Sequence, residues 1–190
     1  MSKGRLEAFS DGVFAVVITI MVLELKVPDG ADVEALRPLF PVFLTYVLSY
    51  VFLGIYWNNH HHMLQATDRI NGTILWANLH LLFWLSLTPF VTGWMGSNHF
   101  EALPTAVYGT VLLCAAIAFT ILQRAIIRHQ GPHSKLAAAV RSGVKEKLSL
   151  ALYVAAIPLA FVNQWISDAI YVTVAFIWLV PDRRIESILS

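Results

Sequence analysis

Apolar stretches alternate with short polar segments along the whole chain. A helix needs roughly 20 mostly apolar residues to cross the hydrocarbon core of a bilayer. Six stretches approach that length, at about 6–27, 38–62, 73–95, 104–127, 148–165 and 166–181. The last two are short, and the letters NQWIS between them are typical of a tight hairpin. The pattern predicts an all-α integral membrane protein in which residues 1–190 form one unit of six transmembrane helices.

The composition supports a membrane protein rather than a soluble one. Hydrophobic residues make up 57% of the 190 residues and charged residues 13%, whereas soluble domains carry about 25% charged residues. The mean hydropathy is +0.65. No basic array suited to nucleic acid is present, and the single cysteine, Cys114, lies in an apolar run. The N-terminus lacks the cleavage pattern of a signal peptide, so we expect the first apolar stretch to be retained.

The basic residues predict the orientation of the helices. Lys and Arg are in excess on the cytoplasmic side of membrane proteins. With the N-terminus inside, the inner segments hold eleven of the thirteen basic residues and the outer segments hold Lys26 and Arg37. An odd number of spans would scramble this split. We therefore expect both termini in the cytoplasm, and either a short surface helix or a solvated linker in the long inner connection at 128–147.

The first apolar stretch, RLEAFSDGVFAVVITIMVLEL at 5–25, contains a carboxylate. At about 100° per residue, one stripe of this helix carries Arg5, Phe9, Gly12, Val16, Thr19, Ile20, Leu23 and Val27. Asp11 lies roughly 120° from the centre of that stripe. An ionisable group within a span turns towards protein or water and finds a partner. The carboxylate and the Val16 stripe therefore face different neighbours.

Candidate partners for Asp11 lie at the end of the second stretch, in YWNNHHHML. The indole of Trp57, the amides of Asn58 and Asn59, and the imidazoles of His60, His61 and His62 can all hydrogen-bond to a carboxylate. Consecutive helical residues point about 100° apart, so the three histidines cannot converge on one metal ion as an i, i+4 pair would. We expect a hydrogen-bonded histidine and no metal or other cofactor. His80 is expected to be structural, with a proton relay as the alternative.

These residues resemble a known family. The Arg-x-x-x-Phe-Ser-Asp pattern at the start of the first helix is similar to the motif of the transmembrane protein 175 family of potassium channels. The resemblance to its six-helix prokaryotic members extends over WNNHHH, the aromatic third stretch and the closing PDRR. It implies a homotetramer in which the first helix of each subunit lines a central pore, without the carbonyl filter of ordinary potassium channels.

The resemblance also implies roles for individual residues. Val16 and Leu23 match the narrow positions of the pore, Thr19 matches a polar layer linked to potassium preference, and Ile20 shares the lining. Family members often have Ile or Leu where this chain has the shorter Val16, so either the neck is wider here or Leu23 and Ile20 form the tighter ring. A structural lock of the pore helix is implied for Arg5, Phe9, Ser10, Asp11, Gly12, Trp57, Asn59, His60 and His61, with Ser10 and Asp11 bonded to the Trp57–His61 region. Gly12 either permits close backbone approach or is simply tolerated.

Three functions follow as hypotheses. The first is a passive potassium-permeable channel in the cell membrane, with the bilayer, other copies of the chain and monovalent cations as partners and no nucleic acid. The second is a proton channel or proton-coupled transporter that uses Asp11 and the His60–His62 cluster. The third, a membrane enzyme, is disfavoured because only the histidines offer convergent catalytic groups. Acids of the predicted outer loop, with Glu24, either attract cations to a pore mouth or form an ordinary solvated loop.

Overall fold

The computed structural model describes residues 2–132, 134–139 and 143–179. Those residues form α-helices joined by short connections, and no strand occurs among them. The helices are α1 (Lys3–Leu23), α2 (Val33–Leu36), α3 (Phe40–Gln65), α4 (Gly72–Ser86), α5 (Thr88–Ser97), α6 (Ala102–Gln130), α7 (Lys135–Ala139), α8 (Val144–Leu159) and α9 (Gln164–Leu179). A 3₁₀ turn, Arg37–Leu39, links α2 to α3.

Four helical stretches of the described chain are long and apolar enough to cross a membrane. They are Lys3–Leu23, Val33–Gln65, Gly72–Ser97 and Ala102–Gln130. The last helix, Gln164–Leu179, is apolar but shorter, and α8 has the same length of 16 residues. The protein is thus a multi-pass helical membrane protein. The predicted fifth and sixth spans correspond to α8 and α9, and the predicted end of the sixth, with the PDRR letters, lies outside the described residues.

The predicted third span, 73–95, is two helices rather than one. Helix α4 ends at Ser86 and α5 begins at Thr88, with Pro89 in its first turn. Proline has no N–H group and its ring crowds the preceding turn, so the α-helical ladder cannot run through it unchanged. The Leu87 N–H donates to the Trp84 carbonyl oxygen instead, at 3.2 Å. Hydropathy did not reveal this break because apolar residues flank it on both sides.

The hairpin between the last two helices comes earlier than the sequence suggests. Helix α8 ends at Leu159 and α9 already begins at Gln164. The Asn163 side-chain oxygen accepts a hydrogen bond from the Trp165 N–H at 3.0 Å, the geometry that asparagine provides at a helix start. The predicted first span also ends early, because α1 stops at Leu23 and leaves Val27 exposed.

Helices α3 and α6 are the centre of the bundle, because each contributes to two buried clusters. One cluster joins them to α1 and α4, and the other joins them to α5, α8 and α9. Helix α1 buries a single row consisting of Leu6, Ser10, Phe14, Val17 and Met21. The spacing of four, four, three and four residues is that of one helix face. All other faces of α1 are therefore less covered by its own subunit.

The described part of the long inner connection, for which the sequence left a surface helix or a solvated linker open, contains a short helix. Helix α7 has only five residues, and Leu136 on it is buried in the cluster that α1, α3, α4 and α6 form. Its burial fastens the connection to the bundle.

Candidate functional site

The outward face of α1 is the first part of the site. Side chains at the predicted pore positions are exposed: Val16 is 55% exposed and Leu23 79%, while Met21 on the buried row is 1% exposed. Thr19 and Ile20 are also exposed. The Thr19 hydroxyl donates to the Val16 carbonyl oxygen at 2.9 Å, as helical threonines commonly do. An apolar face thus stands free of the subunit that carries it.

An open groove of about 1060 Å³ runs beside this face. From α1 it is lined by Phe9, Gly12, Val16 and Ile20, among others, and from the other side by α5 and the end of α4. The Glu24 carboxylate lies against Gly93 at the far end of the groove, where an added Cβ on the glycine would come 2.8 Å from Oε2. Thr19 and Leu23 do not line the groove. The predicted pore positions therefore divide between the groove wall and the open surface next to it.

Asp11 contacts the second stretch of the chain where the sequence analysis placed its partners. The Trp57 Nε1–H donates to Asp11 Oδ1 at 2.9 Å, joining α1 to α3. The imidazole of His61 stacks on the indole of Trp57, with ring centroids 5.9 Å apart and planes inclined by 25°. At the start of α1, the Lys3 Nζ donates to the Gln65 carbonyl oxygen at the end of α3, at 3.1 Å. The two helices are thus joined by polar contacts at this end.

Ser10 bonds to a residue that the sequence analysis missed. Its hydroxyl, fully buried, donates to the Leu6 carbonyl oxygen at 2.8 Å and accepts from Asn78 Nδ2 at 3.0 Å. The Asn78 Oδ1 lies 2.7 Å from His60 Nε2. Since Oδ1 only accepts, this contact assigns the proton to Nε2. The prediction that Ser10 bonds directly to the Trp57–His61 region was wrong, because Asn78 of α4 stands between them.

A lone asparagine in an apolar stretch was the signal for Asn78. Buried polar side chains in membrane helices need partners within the protein. Asn78 of α4 is fully buried, and its side chain hydrogen-bonds to Ser10 of α1 and to His60 of α3. In the same stretch, the Nε2 of His80 accepts a hydrogen bond from the Trp84 indole N–H at 2.9 Å.

Other residues of the predicted lock make contacts of a different kind. The Asn59 amide donates to the Ile55 carbonyl oxygen of its own helix, and Arg5 is exposed. Phe9 is half-exposed in the groove. Among the described residues, no atom beyond the helix backbone around Gly12 lies within 4 Å of an added Cβ there, so this glycine serves no close approach between those parts of the subunit.

The histidines diverge, as the helical spacing predicts. His60 is buried against Asn78, His61 stacks on Trp57, and the Nδ1 of His62 is buried without a hydrogen-bond partner in the described part of the chain. No group of three metal-ligating side chains occurs within the described ranges. The arrangement offers hydrogen-bonded joints between helices and an open apolar face.

Known proteins are similar to this chain in sequence and in fold. A family model described as the endosomal/lysosomal potassium channel TMEM175 matches residues 5–89. A protein named a potassium channel from Chryseobacterium sp. (strain P1-3) is 55% identical over 190 residues, which is 100% of this chain and 99% of the relative. The rat protein named endosomal/lysosomal proton channel TMEM175 is 32% identical over 183 residues, and the matched part is 85% of this chain but 36% of the rat protein.

A solved structure carries the same fold. The crystal structure titled as a lysosomal potassium-selective channel TMEM175 homolog from Chamaesiphon minutus matches with a TM-score of 0.81 and 28% identity, covering 95% of this chain and 97% of that one. Fold and site define a multi-pass helical membrane protein with a free apolar helix face. The chain belongs to the TMEM175 family.

Proposed function

We propose that this protein is a potassium channel. The observation that carries the proposal is the relative named a potassium channel, which matches the chain over its full length at 55% identity. Further relatives from Streptomyces collinus and Chamaesiphon minutus bear the same name, at 34% and 33% identity. The family consists of ion channels rather than enzymes.

The assembly belongs to the same proposal. Four copies of the chain surround a central axis, and each turns the exposed face of α1 towards it. The support is geometric: the side chains of Val16 and Leu23 project away from the row that α1 buries in its own subunit. An apolar face on a membrane helix is also satisfied by lipid. The homotetramer is therefore tested directly, by native mass spectrometry of the protein extracted in detergent.

The orientation in the cell membrane is part of the proposal as well. All six predicted spans, including the short α8 and α9, cross the bilayer, and both termini lie in the cytoplasm. The support is the excess of basic residues in the segments assigned to the inner side. Cysteines introduced at exposed sites test it: Arg69→Cys is expected to be protected from an external thiol reagent, and Arg37→Cys to react. The opposite labelling pattern would invert the topology.

Permeation follows from the chemistry of the face. Rings of Val16 and Leu23 form a hydrophobic neck that conducts when water fills it and closes when water leaves. Thr19 lies between them, and its hydroxyl oxygen remains able to accept or to contact a cation while its proton bonds to the Val16 carbonyl oxygen. A neck of short valines is wider than one of isoleucines. We expect weak to moderate preference for potassium over sodium.

Flux through purified protein in liposomes tests the pathway. Val16→Ala, Thr19→Ala and Leu23→Ala are each expected to change potassium flux or the ratio of potassium to sodium flux. Val22→Ala is the matched control, because Val22 is also an exposed apolar residue of α1 but points away from the stripe. Flux that is the same in all four variants and in the unmodified protein would remove α1 from the pore.

Proton conduction is a second candidate, because the animal relatives are named proton channels. Its groups would be Asp11 and the His60–His62 cluster. The geometry favours a structural role instead, since the Asp11 carboxylate accepts from Trp57 and His60 is bonded to Asn78. Proton flux in liposomes separates the two. Asp11→Asn in a correctly assembled protein abolishes proton flux if the carboxylate carries protons, whereas potassium flux without proton flux in the unmodified protein removes this candidate.

A further inference from the structure

Helix α9 contains a carboxylate that the site above does not use. Both carboxylate oxygens of Asp168 are buried, and neither has a hydrogen-bond donor within reach in the described part of the chain. Buried polar groups are almost always hydrogen-bonded, and buried charges are paired. This side chain satisfies neither rule as an ionised group.

The residues around Asp168 on α9 contact the neighbouring helices α8 and α6. Its neighbour Ser167 donates to the Ala156 carbonyl oxygen of α8 at 2.7 Å, and Tyr171, one turn further on, donates to the Thr105 carbonyl oxygen of α6 at 3.1 Å. One turn earlier, the Trp165 ring packs on Phe100 of the α5–α6 connection, with centroids 5.4 Å apart. Asp168 therefore sits in the joint between α9, α8 and α6, at the end of the bundle where α6 and α9 begin.

No cation of the described chain faces this carboxylate. The titratable groups near it are phenols: Tyr108 from α6, Tyr171 on α9 itself, and Tyr153 of α8, whose ring lies 6.3 Å from that of Tyr171. Helix α3 contributes Ser49 and Phe52 to this region, neither of which titrates. Two ion pairs among the described residues, Lys3–Glu7 and Arg37–Glu34, involve other parts of the chain.

Neither of two cavities in the described part of the chain offers a place for a metal ion or a hydrated potassium ion beside Asp168. Asp168 lines neither the groove beside α1 nor the smaller cleft between α3, α6, α8 and α9. Its oxygens are enclosed by packed side chains, and the tyrosine hydroxyl nearest along the helix already donates elsewhere. The cation that needs no cavity is a proton.

We propose that Asp168 is a proton-binding site and that the folded protein holds its carboxyl group as the neutral acid. A neutral acid removes the large cost of an unpaired buried charge and gains an O–H donor. Ionisation of the group loosens the joint of α9 with α8 and α6. The site is separate from Asp11, and it does not depend on the proposed channel function.

The pH dependence of the free energy of unfolding follows from the number of protons that the folded and unfolded states bind. A folded state with a neutral Asp168 binds one more proton than the unfolded state, in which the carboxyl group is ionised near neutral pH. Stability then falls as the pH rises, because the unfolded state binds fewer protons. The packing of α9 against α8 and α6 is therefore most stable in mildly acidic solution.

Thermal unfolding of the purified full-length protein measures this effect. The midpoint of the unmodified protein is expected to fall by about 4 °C or more from about pH 5 to about pH 8. In Asp168→Asn, which keeps the shape but not the charge, the fall is expected to be absent or much smaller. Glu101→Gln is the matched control, because Glu101 is an exposed acid at the same end of the bundle and should leave the fall unchanged.

Infrared spectroscopy keeps the proposal testable if Asp168→Asn fails to fold. The unmodified protein, with carboxyl-labelled aspartate, is expected to show an isotope-shifted absorption of a protonated carboxyl group at about pH 7 in membranes. A spectrum with only ionised aspartate at that pH overturns the proposal. So does an Asp168→Asn variant whose unfolding midpoint changes with pH as much as that of the unmodified protein. Loss of stability in Asp168→Asn at every pH, with no protonated band, would show an ionised and partnered carboxylate.

Discussion

Asn78 of α4 joins three helices through side-chain hydrogen bonds. Its amide donates to Ser10 on α1, and its carbonyl oxygen accepts from His60 on α3. The Asp11–Trp57 bond supports the same pair of helices from a more exposed position. Ser10 and Asp11 of the motif on α1 are therefore not on the exposed apolar face of that helix. Ser10 belongs to the buried row and Asp11 lies next to it, and both fix the helix to its own subunit.

Asn78→Ala tests the buried joint. The substitution leaves the Ser10 hydroxyl and the His60 Nε2–H buried without their partner, which costs about 1–3 kcal/mol for each such group. We expect a loss of about 2–4 kcal/mol in the free energy of unfolding. Asn59→Ala is the control, because Asn59 bonds only to a carbonyl oxygen of its own helix and should cost under about 1 kcal/mol. Equal losses of unfolding free energy in the two variants would mean that the hydrogen bonds of Asn78 between helices do not stabilise the protein.

A double-mutant cycle measures the exposed bond. Trp57→Phe removes the indole donor but keeps an aromatic ring for His61, and Asp11→Asn removes the charge of the acceptor. We expect a coupling free energy of about 0.5–1 kcal/mol, since the bond lies at the surface of the subunit. Additive effects of the two substitutions would mean that the pair contributes nothing to holding α1.

At the scale of elements, two helices approach each other through a glycine. A Cβ added at Gly96 of α5 would lie 2.6 Å from the Val42 Cα of α3, closer than side-chain atoms come to backbone. Neither helix can move without disturbing the cluster that α3, α5, α6, α8 and α9 share. The break at Leu87 also belongs to this arrangement, because α5, which begins just after it, lines the groove.

Gly96→Ala is therefore expected to destabilise the protein by about 1–3 kcal/mol through overpacking. Gly54→Ala is the matched control, since nothing lies within 4 Å of an added Cβ at that helical glycine. The control should be neutral or slightly stabilising, because alanine favours the helix by about 0.5–1 kcal/mol over glycine. Thermal unfolding in detergent reports both values, and a stable Gly96→Ala protein would contradict the close approach.

At the scale of the whole molecule, α1 has one face that is buried against its own subunit and one that is exposed. One holds the helix to α3, α4 and α5, and the other is left to lipid or to further copies of the chain. Such a division is what a helix at the axis of an assembly requires. Gly12, open within the subunit, lies on the second face together with Val16.

Two substitutions on α1 separate the faces. Met21→Ala opens a cavity in the bundle and is expected to cost about 2 kcal/mol or more in stability of the subunit. Leu23→Ala removes an exposed side chain and should change subunit stability by less than about 0.5 kcal/mol, while altering ion flux. Unfolding and liposome flux are measured on the same preparations. A Leu23→Ala protein that unfolds as easily as Met21→Ala would place Leu23 in the subunit core.

The sequence by itself determined the membrane class, because apolar stretches of bilayer length are a local property of the chain. It also determined which residues share a face of α1, because helical periodicity depends on spacing alone. The resemblance of RLEAFSD and WNNHHH indicated the family, and the comparisons confirmed it. The divergence of the three histidines followed from spacing too, since adjacent side chains on a helix point in different directions.

Only the tertiary structure decided which polar groups meet. Ser10 and His60 are joined through Asn78, 68 residues after the serine, and nothing in local spacing encodes a contact between helices so far apart in sequence. The break at Leu87 and the earlier hairpin depend on how the turns satisfy backbone groups, which hydropathy does not measure. Asp168 became informative for the same reason. Its letter shows a carboxyl group, but only packing shows that this group has no hydrogen-bond partner among the described residues.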